Sequence, residues 1–382
     1  MSRMTHLEAP ARVRLDFLDA IRFAAMVLMV QGHTLDALVR PDQLDVSQSP
    51  WWIWHALRGL TAPMFLLLSG LVGTLTLRRE PDGRVVASRL RRRALWGFGL
   101  IVLGYFLVFP ANRLADLRWL SPEVWRGFLQ VNILQLNGLC LLLTTLLAAL
   151  TRSDRTYGLL AFGAAVLLLL GAPAVQAVPW FDLLPEGLAA YLSPAHGSLF
   201  PLFPHGAFLF LGAGLGWLLK GLDPAVAGSR FLKLCGLGAL GALALAPLVK
   251  GMPLVPAGDP FGVNPGFTFV RLTLTLLLML GLGWVALRLP RVTAAVAPLG
   301  GQSLRVYVGH LLLLYGLPWV HGMAQGRYRT QSLAEGMGSV FLVWTVTFGG
   351  VLLLELLQKK AEPLHRALRI SSAGLLAWAL LF

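Results

Sequence analysis

The chain has 382 residues, of which 56% are hydrophobic and 13% are charged, and its formal net charge at neutral pH is +14. Soluble domains are about 45–50% apolar and about 25% charged, so this composition excludes an ordinary soluble domain and also a disordered chain. The 2 cysteines, Cys140 and Cys235, lie within apolar runs and are too few for a disulfide scaffold. The composition therefore indicates a polytopic membrane protein.

The apolar runs have helical rather than strand lengths. They approach the roughly 20 residues that a spanning helix needs, whereas an outer-membrane barrel shows alternating strands of about 10 residues. We predict an all-α fold with ten to eleven transmembrane helices in a single membrane domain over residues 1–382. The ten predicted spans are 17–39, 52–77, 94–110, 127–150, 157–174, 200–219, 231–249, 267–287, 297–319 and 337–357. A short apolar end at 371–382 is either an eleventh span or an interfacial segment.

The positive charge is distributed unevenly among the predicted loops. With a cytoplasmic N-terminus, about two thirds of the Lys and Arg residues fall in inside-facing segments, roughly three times as many as in outside loops. The densest of these segments runs from Arg78 to Arg93. The first apolar stretch is too long for a cleavable signal peptide, so we expect a retained anchor. The net charge thus predicts a multi-pass cell-membrane protein with a cytoplasmic N-terminus rather than a nucleic-acid partner.

The first predicted span contains ionisable residues at membrane depth, where each costs at least about 2.5–3.5 kcal/mol on insertion scales. Asp19 and Arg22 are three residues apart, so a helix places them on one face, where they can pair. His33 follows Arg22 by about three turns and returns to nearly the same face. One helix face would then carry a guanidinium near one membrane side and an imidazole near the other. The alternative is a structural ion pair with an interfacial histidine.

Two further spans begin with polar residues. His55 and Arg58 share one face of the second span. They either belong to a functional site or are solvated at the membrane interface. Asn132 and Asn137 belong to a group of amide side chains between residues 130 and 137, at the start of the fourth span. So many amides are unsuited to lipid, so they either bond neighbouring helices together or line a polar cavity.

The later spans add a second polar face. Arg271 lies just inside the outer end of the eighth span, and Ser303, Tyr307 and His310 follow one another at helical spacing on one face of the ninth. These groups should face the protein interior. The sequence contains no zinc-binding His-Glu-x-x-His, phosphate loop or serine elbow. A buried polar chamber of this kind suits either group transfer by a histidine base or transport along a polar pathway.

Five segments in order resemble the heparan-α-glucosaminide N-acetyltransferase catalytic-domain family and its bacterial relatives. The resemblance covers residues 14–318. The segments are Leu18-Asp19-x-x-Arg22 with Leu28-Met29-x-x-x-His33, Ala62-Pro63-Met64-Phe65-Leu66-x-x-Ser69-Gly70, Leu129-Gln130 with Asn137-Gly138-Leu139, Phe200-Pro201-Leu202-Phe203-Pro204, and Leu299-Gly300 with Ser303, Leu304, Tyr307 and His310. Two positions depart from the family pattern. Phe23 replaces the usual glycine, which would narrow a donor path, and His205 replaces the commoner tryptophan.

The resemblance implies an integral-membrane acyltransferase of ten or eleven helices, in a bacterial inner membrane. Such an enzyme moves an acyl group, with acetyl expected, from cytosolic acyl-CoA to a sugar or glycan at the other membrane face. The family's base lies in or just after the first helix, which corresponds to His33, with His55 as a second candidate. Asp19 and Arg22 would shape the CoA route. Membrane lipids are the other expected partner, no metal is expected, and a homodimer is left open.

The mechanism that we predict is attack of an acceptor hydroxyl or amine on the thioester carbonyl, with a histidine as general base. A covalent acyl-histidine intermediate remains an alternative. Donor-site residues would include arginines for the CoA phosphates and amides for the oxyanion. The full set of donor-site candidates is Asp19, Arg22, Arg58, Asn132, Asn137, Arg271, Ser303, Tyr307 and His310. The opposing hypothesis is a membrane transporter or sensor that uses the same chamber for a lipid-linked or small polar ligand.

Overall fold

The computed structural model describes residues 15–250 and 264–364, together with residues 366, 370 and 371. The predicted segment 371–382 lies outside the described residues, apart from residue 371 itself. Within the described ranges the chain is predominantly helical, and the strands form a short hairpin in which β1 (Gly316–Leu317) pairs antiparallel with β2 (Val320–His321). This confirms the all-α class.

The α-helices follow one another in short steps, joined in two places by the 3-10 turns Pro41–Gln43 and Leu114–Trp119. They are α1 Asp16–Leu38, α2 Trp51–Gly59, α3 Thr61–Leu75, α4 Ala87–Leu107, α5 Pro122–Leu129, α6 Ile133–Leu150, α7 Asp154–Leu170, α8 Ala172–Gln176, α9 Trp180–Leu183, α10 Glu186–Ala189, α11 Leu202–Leu219, α12 Pro224–Lys250, α13 Pro265–Arg288, α14 Pro290–Gly300, α15 Ser303–Tyr315 and α16 Leu333–Lys360.

Within the described part of the chain, 6 helical stretches are long and apolar enough to cross a membrane: Trp51–Leu75, which joins α2 and α3, and α6, α11, α12, α13 and α16. This supports an all-α membrane protein but not the predicted ten to eleven helices. One reason is that an apolar run is broken. The predicted span 297–319 divides at Gly301 and Gln302 into α14 and α15, whereas the predicted span 127–150 still contains a helix long enough to cross, α6.

A second reason for the lower count is charge and length. Helix α1 has 23 residues, but Asp16, Asp19 and Arg22 stand in its first two turns. Helix α4 has 21 residues and starts with a cluster of arginines. Helix α7 has 17 residues and is short for a crossing. Apolar composition alone could not show where these helices begin and end.

Helix α1 lies at the centre of the fold. It contacts α3, α13, α14, α15 and α16, so most of its circumference faces other helices. Its apolar side chains divide between two packing clusters. Ile21 and Ala25 belong to a cluster shared with α3, α11 and α13, while Met26 and Met29 pack with residues of α15 and α16. This central position lets a polar helix avoid lipid.

Glycines allow some helices to approach one another very closely. A side chain at Gly70 in α3 would collide with the backbone carbonyl of Leu209, and one at Gly212 in α11 would collide with that of Leu67. Gly300, at the end of α14, lies in the same way against the carbonyl of Asp19. Small residues at helix contacts are typical of membrane proteins, where close backbone packing replaces the hydrophobic effect as a source of stability.

Substitution of Gly212 by alanine should therefore destabilise the protein. The added methyl group has no space against the Leu67 carbonyl, and overpacking of this kind costs about 1–3 kcal/mol. The matched control is Gly163→Ala, because Gly163 in α7 is exposed and its Cβ would meet no atom within 4 Å. Thermal unfolding of the purified protein in detergent measures both variants. Equal unfolding temperatures for Gly212→Ala and the parent would contradict the close packing of α3 and α11.

Candidate functional site

A cavity of about 510 Å³ lies among α1, α3, α4, α6 and α15. Its volume falls within the range of small-molecule sites, about 300–1,000 Å³. Its wall is mostly apolar, with side chains such as Trp96 and Leu100, but it also contains a set of polar ones. The polar lining residues are Arg22, Thr61, Ser69, Asn132, Gln135, Asn137, Ser303, Tyr307, Tyr315 and His33. The cavity thus collects most of the membrane-depth polar residues that the sequence indicates.

Helix α1 supplies the long wall of this cavity. Arg22 and His33 both line it, and eleven residues of helix separate them by about 16–17 Å along the axis. The guanidinium of Arg22 donates to Asp19 Oδ1 at 3.1 Å and to the backbone carbonyl of Leu68 at 3.3 Å. The predicted Asp19–Arg22 pair is therefore present. Asp19 holds Arg22 in place, and Arg22 itself reaches the cavity.

His33 is bonded to a second histidine from a distant part of the chain. Its Nδ1 lies 2.8 Å from Nε2 of His310 in α15, and the two rings are nearly parallel, with 18° between their planes. His310 is completely buried, and its Nδ1 lies 2.9 Å from the backbone carbonyl of Val306. His33 is only partly buried, so the pair presents one imidazole to the cavity and conceals the other behind it.

The face of α15 that carries this histidine looks inward, as the helical spacing predicts. Ser303 and Tyr307 line the cavity, and the ring of Tyr307 lies edge-on to His310 with 5.6 Å between centroids. Tyr315, at the end of the same helix, also lines the cavity and was not selected from the sequence. Its spacing from Tyr307 is two turns, which is the signal that could have identified it.

The amides of α6 form the opposite part of the wall. Asn137 accepts a hydrogen bond from the hydroxyl of Ser69 at 3.0 Å, and Asn132 lines the cavity just before α6 begins. Gln135 was not among the predicted site residues. It is fully buried and lines the cavity, yet neither its amide oxygen nor its amide nitrogen has a hydrogen-bond partner among the described residues. An unpaired buried amide is costly, so Gln135 is a candidate ligand contact.

Five predicted site residues do not line the cavity. Asp19 and His310 bond to the lining residues Arg22 and His33, and the other three lie apart from the wall. His55 is exposed on α2, and Arg271 is half-buried on α13. Arg58 forms an ion pair with Asp36 and lies over the Trp54 ring at 5.2 Å. Arg58 also packs against Gly32, the residue before His33, so it lies beside the histidine pair without lining the cavity.

The two departures from the family pattern also lie away from the cavity wall. The ring of Phe23 packs against that of Phe348 at a tilt of 51°, with 5.4 Å between centroids, and Phe23 does not line the cavity. The Nδ1 atom of His205 lies 3.2 Å from the backbone carbonyl of Pro201. Neither residue therefore narrows the described cavity.

A known protein family matches the part of the chain that contains α1, α3, α4 and α6 of this site. The sequence profile described as "Heparan-alpha-glucosaminide N-acetyltransferase, catalytic" matches residues 14–239, which is more than half of the chain. The chain belongs to this family. The matched residues run from the start of α1 into α12 and include Arg22, His33 and the amides of α6, whereas α15 follows after them. No curated protein matches the sequence.

Family membership gives the cavity a chemical context. The family is one of membrane acetyltransferases, and membership points to a transferase activity for this chain. The helical, apolar structure agrees with a membrane location. The resemblance seen in the sequence is thereby confirmed at the level of the family.

The unpaired state of Gln135 generates a stability prediction. Gln135→Leu keeps the shape of the side chain and removes two unsatisfied buried groups, so the free energy of unfolding should rise by about 1–3 kcal/mol in the ligand-free protein. The matched control is Asn137→Leu, which breaks the bond to Ser69 and should lower that free energy. Chemical unfolding in detergent measures both. A loss of stability in Gln135→Leu as large as that in Asn137→Leu would show that Gln135 has a structural role.

Proposed function

We propose that this protein is an integral-membrane acyltransferase that moves an acyl group, with acetyl expected, from cytosolic acyl-CoA to a sugar or glycan at the opposite membrane face. The observation that carries the proposal is the position of His33. The chain belongs to an acetyltransferase family, and His33 lines a cavity that has other polar groups in its wall. A hydrogen bond to the buried His310 holds the His33 ring in place. His33 would be the general base.

The geometry favours His33 over His55. A general base must come within about 2.6–3.2 Å of the group whose proton it removes, so it has to face the chamber where the substrates meet. His33 lines the cavity, whereas His55 is exposed on α2 and does not. His55 is therefore the natural control residue for any test of His33.

The reaction that these groups would support is a direct transfer. A ring nitrogen of His33 removes a proton from the acceptor hydroxyl or amine, and the acceptor atom then bonds to the thioester carbonyl carbon. The carbon–sulfur bond breaks, and the CoA thiolate takes the proton from the His33 imidazolium. The amides of Asn132, Gln135 and Asn137 stand on the facing wall, where donors can stabilise the developing oxyanion. Ser69 holds the Asn137 amide in one orientation.

The donor would enter from the end of the cavity marked by Arg22. In the topology that the charge distribution predicts, the start of α1, which carries Arg22, lies on the cytoplasmic side, as does the basic segment between α3 and α4. Arg93 stands one turn before Trp96 on α4, and its Nη1 donates to the carbonyl of Gly73 at 2.8 Å. Its Nε atom is buried and has no partner among the described residues. A guanidinium in this state suits a phosphate oxygen of CoA.

Two predicted donor ligands do not enter this arrangement. Arg58 and Arg271 stay predictions, because the cavity wall contains neither of them. Arg58 already neutralises Asp36, which leaves it to shape the mouth of the cavity beside His33. Donor binding in the proposed form depends on Arg22, which lines the cavity, and on Arg93, which does not line it but has a buried Nε atom without a partner among the described residues.

The proposed orientation has a cytoplasmic N-terminus in a bacterial inner membrane, and cysteine labelling tests it. Cys140 and Cys235 are fully buried, so an impermeant thiol reagent should react only with introduced cysteines. Asp82→Cys lies in the turn before α4, and Ala115→Cys lies in the 3-10 turn after it; both sites are exposed. We expect intact cells to label only Ala115→Cys and permeabilised cells to label both. The reverse pattern would invert the topology.

The activity is tested with purified protein, radiolabelled acetyl-CoA and a panel of sugar and glycan acceptors, with CoA release as the measurement. His33→Ala should lose about 10²–10⁴-fold in kcat, the usual contribution of a positioned base, whereas His55→Ala should keep most of the parent activity. Acetyl-CoA at 100 times its Kd should stabilise the parent and both variants by about 2.7 kcal/mol in a thermal-shift assay.

Two outcomes would contradict the proposal. Full activity of His33→Ala together with loss in His55→Ala would move the base to α2. Absence of any stabilisation of the parent by acetyl-CoA, together with binding of a polar or lipid-linked ligand, would favour the transporter or sensor hypothesis. The thermal-shift measurement also shows that each variant is folded, so a loss of turnover can be assigned to chemistry.

A further inference from the structure

The contacts of His310 determine which of its ring nitrogens carries a proton. The backbone carbonyl of Val306 can only accept a hydrogen bond, and His310 Nδ1 lies 2.9 Å from its oxygen. A lone pair on Nδ1 would repel that oxygen, so Nδ1 must carry the hydrogen and donate it. In a neutral imidazole the other nitrogen is then an acceptor. Nε2 of His310 therefore presents a lone pair to His33.

The same reasoning determines which ring nitrogen of His33 carries the hydrogen. Its Nδ1 lies 2.8 Å from the lone pair of His310 Nε2, and this hydrogen bond needs one hydrogen. That hydrogen must come from His33 Nδ1. A neutral His33 consequently has no hydrogen on Nε2, and that atom is its basic site. His33 thus donates to His310, and His310 donates to the backbone carbonyl of Val306.

The surroundings keep His310 neutral. It is completely buried, and the residues one turn before and one turn after it on α15, Val306 and Leu314, are buried and apolar. Its ring also contacts the uncharged phenol ring of Tyr307 and the ring of His33. Among the described residues, the ion pairs of α1 are Asp19–Arg22 and Asp36–Arg58, and neither includes a histidine. A second proton on His310 would therefore create a buried charge without a counter-ion, which is strongly unfavourable.

We propose that His310 is a positioning residue that fixes His33 in the Nδ1–H tautomer and so makes Nε2 the basic atom of the site. The tautomer follows from the hydrogen bonds alone, and its catalytic consequence rests on the proposed acyl transfer. During that transfer Nε2 takes the proton of the acceptor and returns it to the CoA thiolate. Nδ1–H stays bonded to His310 throughout, so no proton passes through His310. The hydrogen bond of one ring nitrogen commonly sets the tautomer of a histidine in this way.

Nuclear magnetic resonance tests the tautomer directly. Histidine-selective ¹⁵N labelling of the full-length protein in detergent, read by long-range ¹H–¹⁵N correlation, separates protonated from unprotonated ring nitrogens. His33→Gln identifies the signals of His33. We expect a protonated Nδ1 and an unprotonated Nε2 in the parent. His310→Phe removes the acceptor and should move the His33 proton to Nε2, whereas His310→Gln offers an amide oxygen in its place and should retain the parent pattern.

Kinetics supply the second readout. His310→Phe should lose about 10²-fold or more in kcat with little change in the KM for acetyl-CoA, because the base would carry its proton on the wrong nitrogen. His310→Gln should recover most of that loss. An Nε2–H tautomer in the parent, or the same Nδ1–H tautomer in His310→Phe, would overturn the proposal. The expected tautomers without turnover on any acceptor would instead refute the acyl transfer and support the positioning role.

Discussion

The structure depends on the burial of one polar helix, α1, among other helices. Lipid cannot solvate Asp19, Arg22 or His33, and each such group at membrane depth costs several kcal/mol unless the protein provides partners. The chain meets this constraint by surrounding α1 with α3, α13, α14, α15 and α16. Glycines at the contacts, such as Gly300 against the Asp19 carbonyl, let the neighbouring backbones come close enough to enclose it. The cavity lies along the side of α1 that remains open.

The polar groups at this cavity differ in whether they have hydrogen-bond partners within the protein. Groups with partners are held in place, whereas a group without one is free to bind a ligand. Arg22 bonds to Asp19 and to a backbone carbonyl, and Asn137 bonds to Ser69, so these groups are held in place. Gln135 is buried without a partner among the described residues. A rigid frame with one unsatisfied amide and one partly buried imidazole in the cavity wall is an arrangement that a bound substrate would complete.

Much of the fold and part of the site could be predicted from local spacing. The Asp19–Arg22 pair and the inward face of Ser303, Tyr307 and His310 are consequences of helical periodicity, which the sequence displays directly. The number of crossings was not predictable in this way. The break at Gly301 divides one apolar run into α14 and α15, and the charges at the start of α1 and α4 and the short length of α7 set those helices apart from the 6 long apolar stretches. The amides of α6 were visible as a group, but only their surroundings show that Gln135 lacks a partner while Asn137 has one.

By itself the sequence determined the membrane class, the family and the concentration of polar residues in α1, α6 and α15, because composition and short-range spacing express these properties. The tertiary structure alone decided which histidine faces the cavity and which residue stands behind it. His33 and His310 are separated by most of the chain, and a hydrogen bond of 2.8 Å between them exists only because α15 packs against α1. His55, the second candidate in the sequence, is exposed on α2 and does not line the cavity.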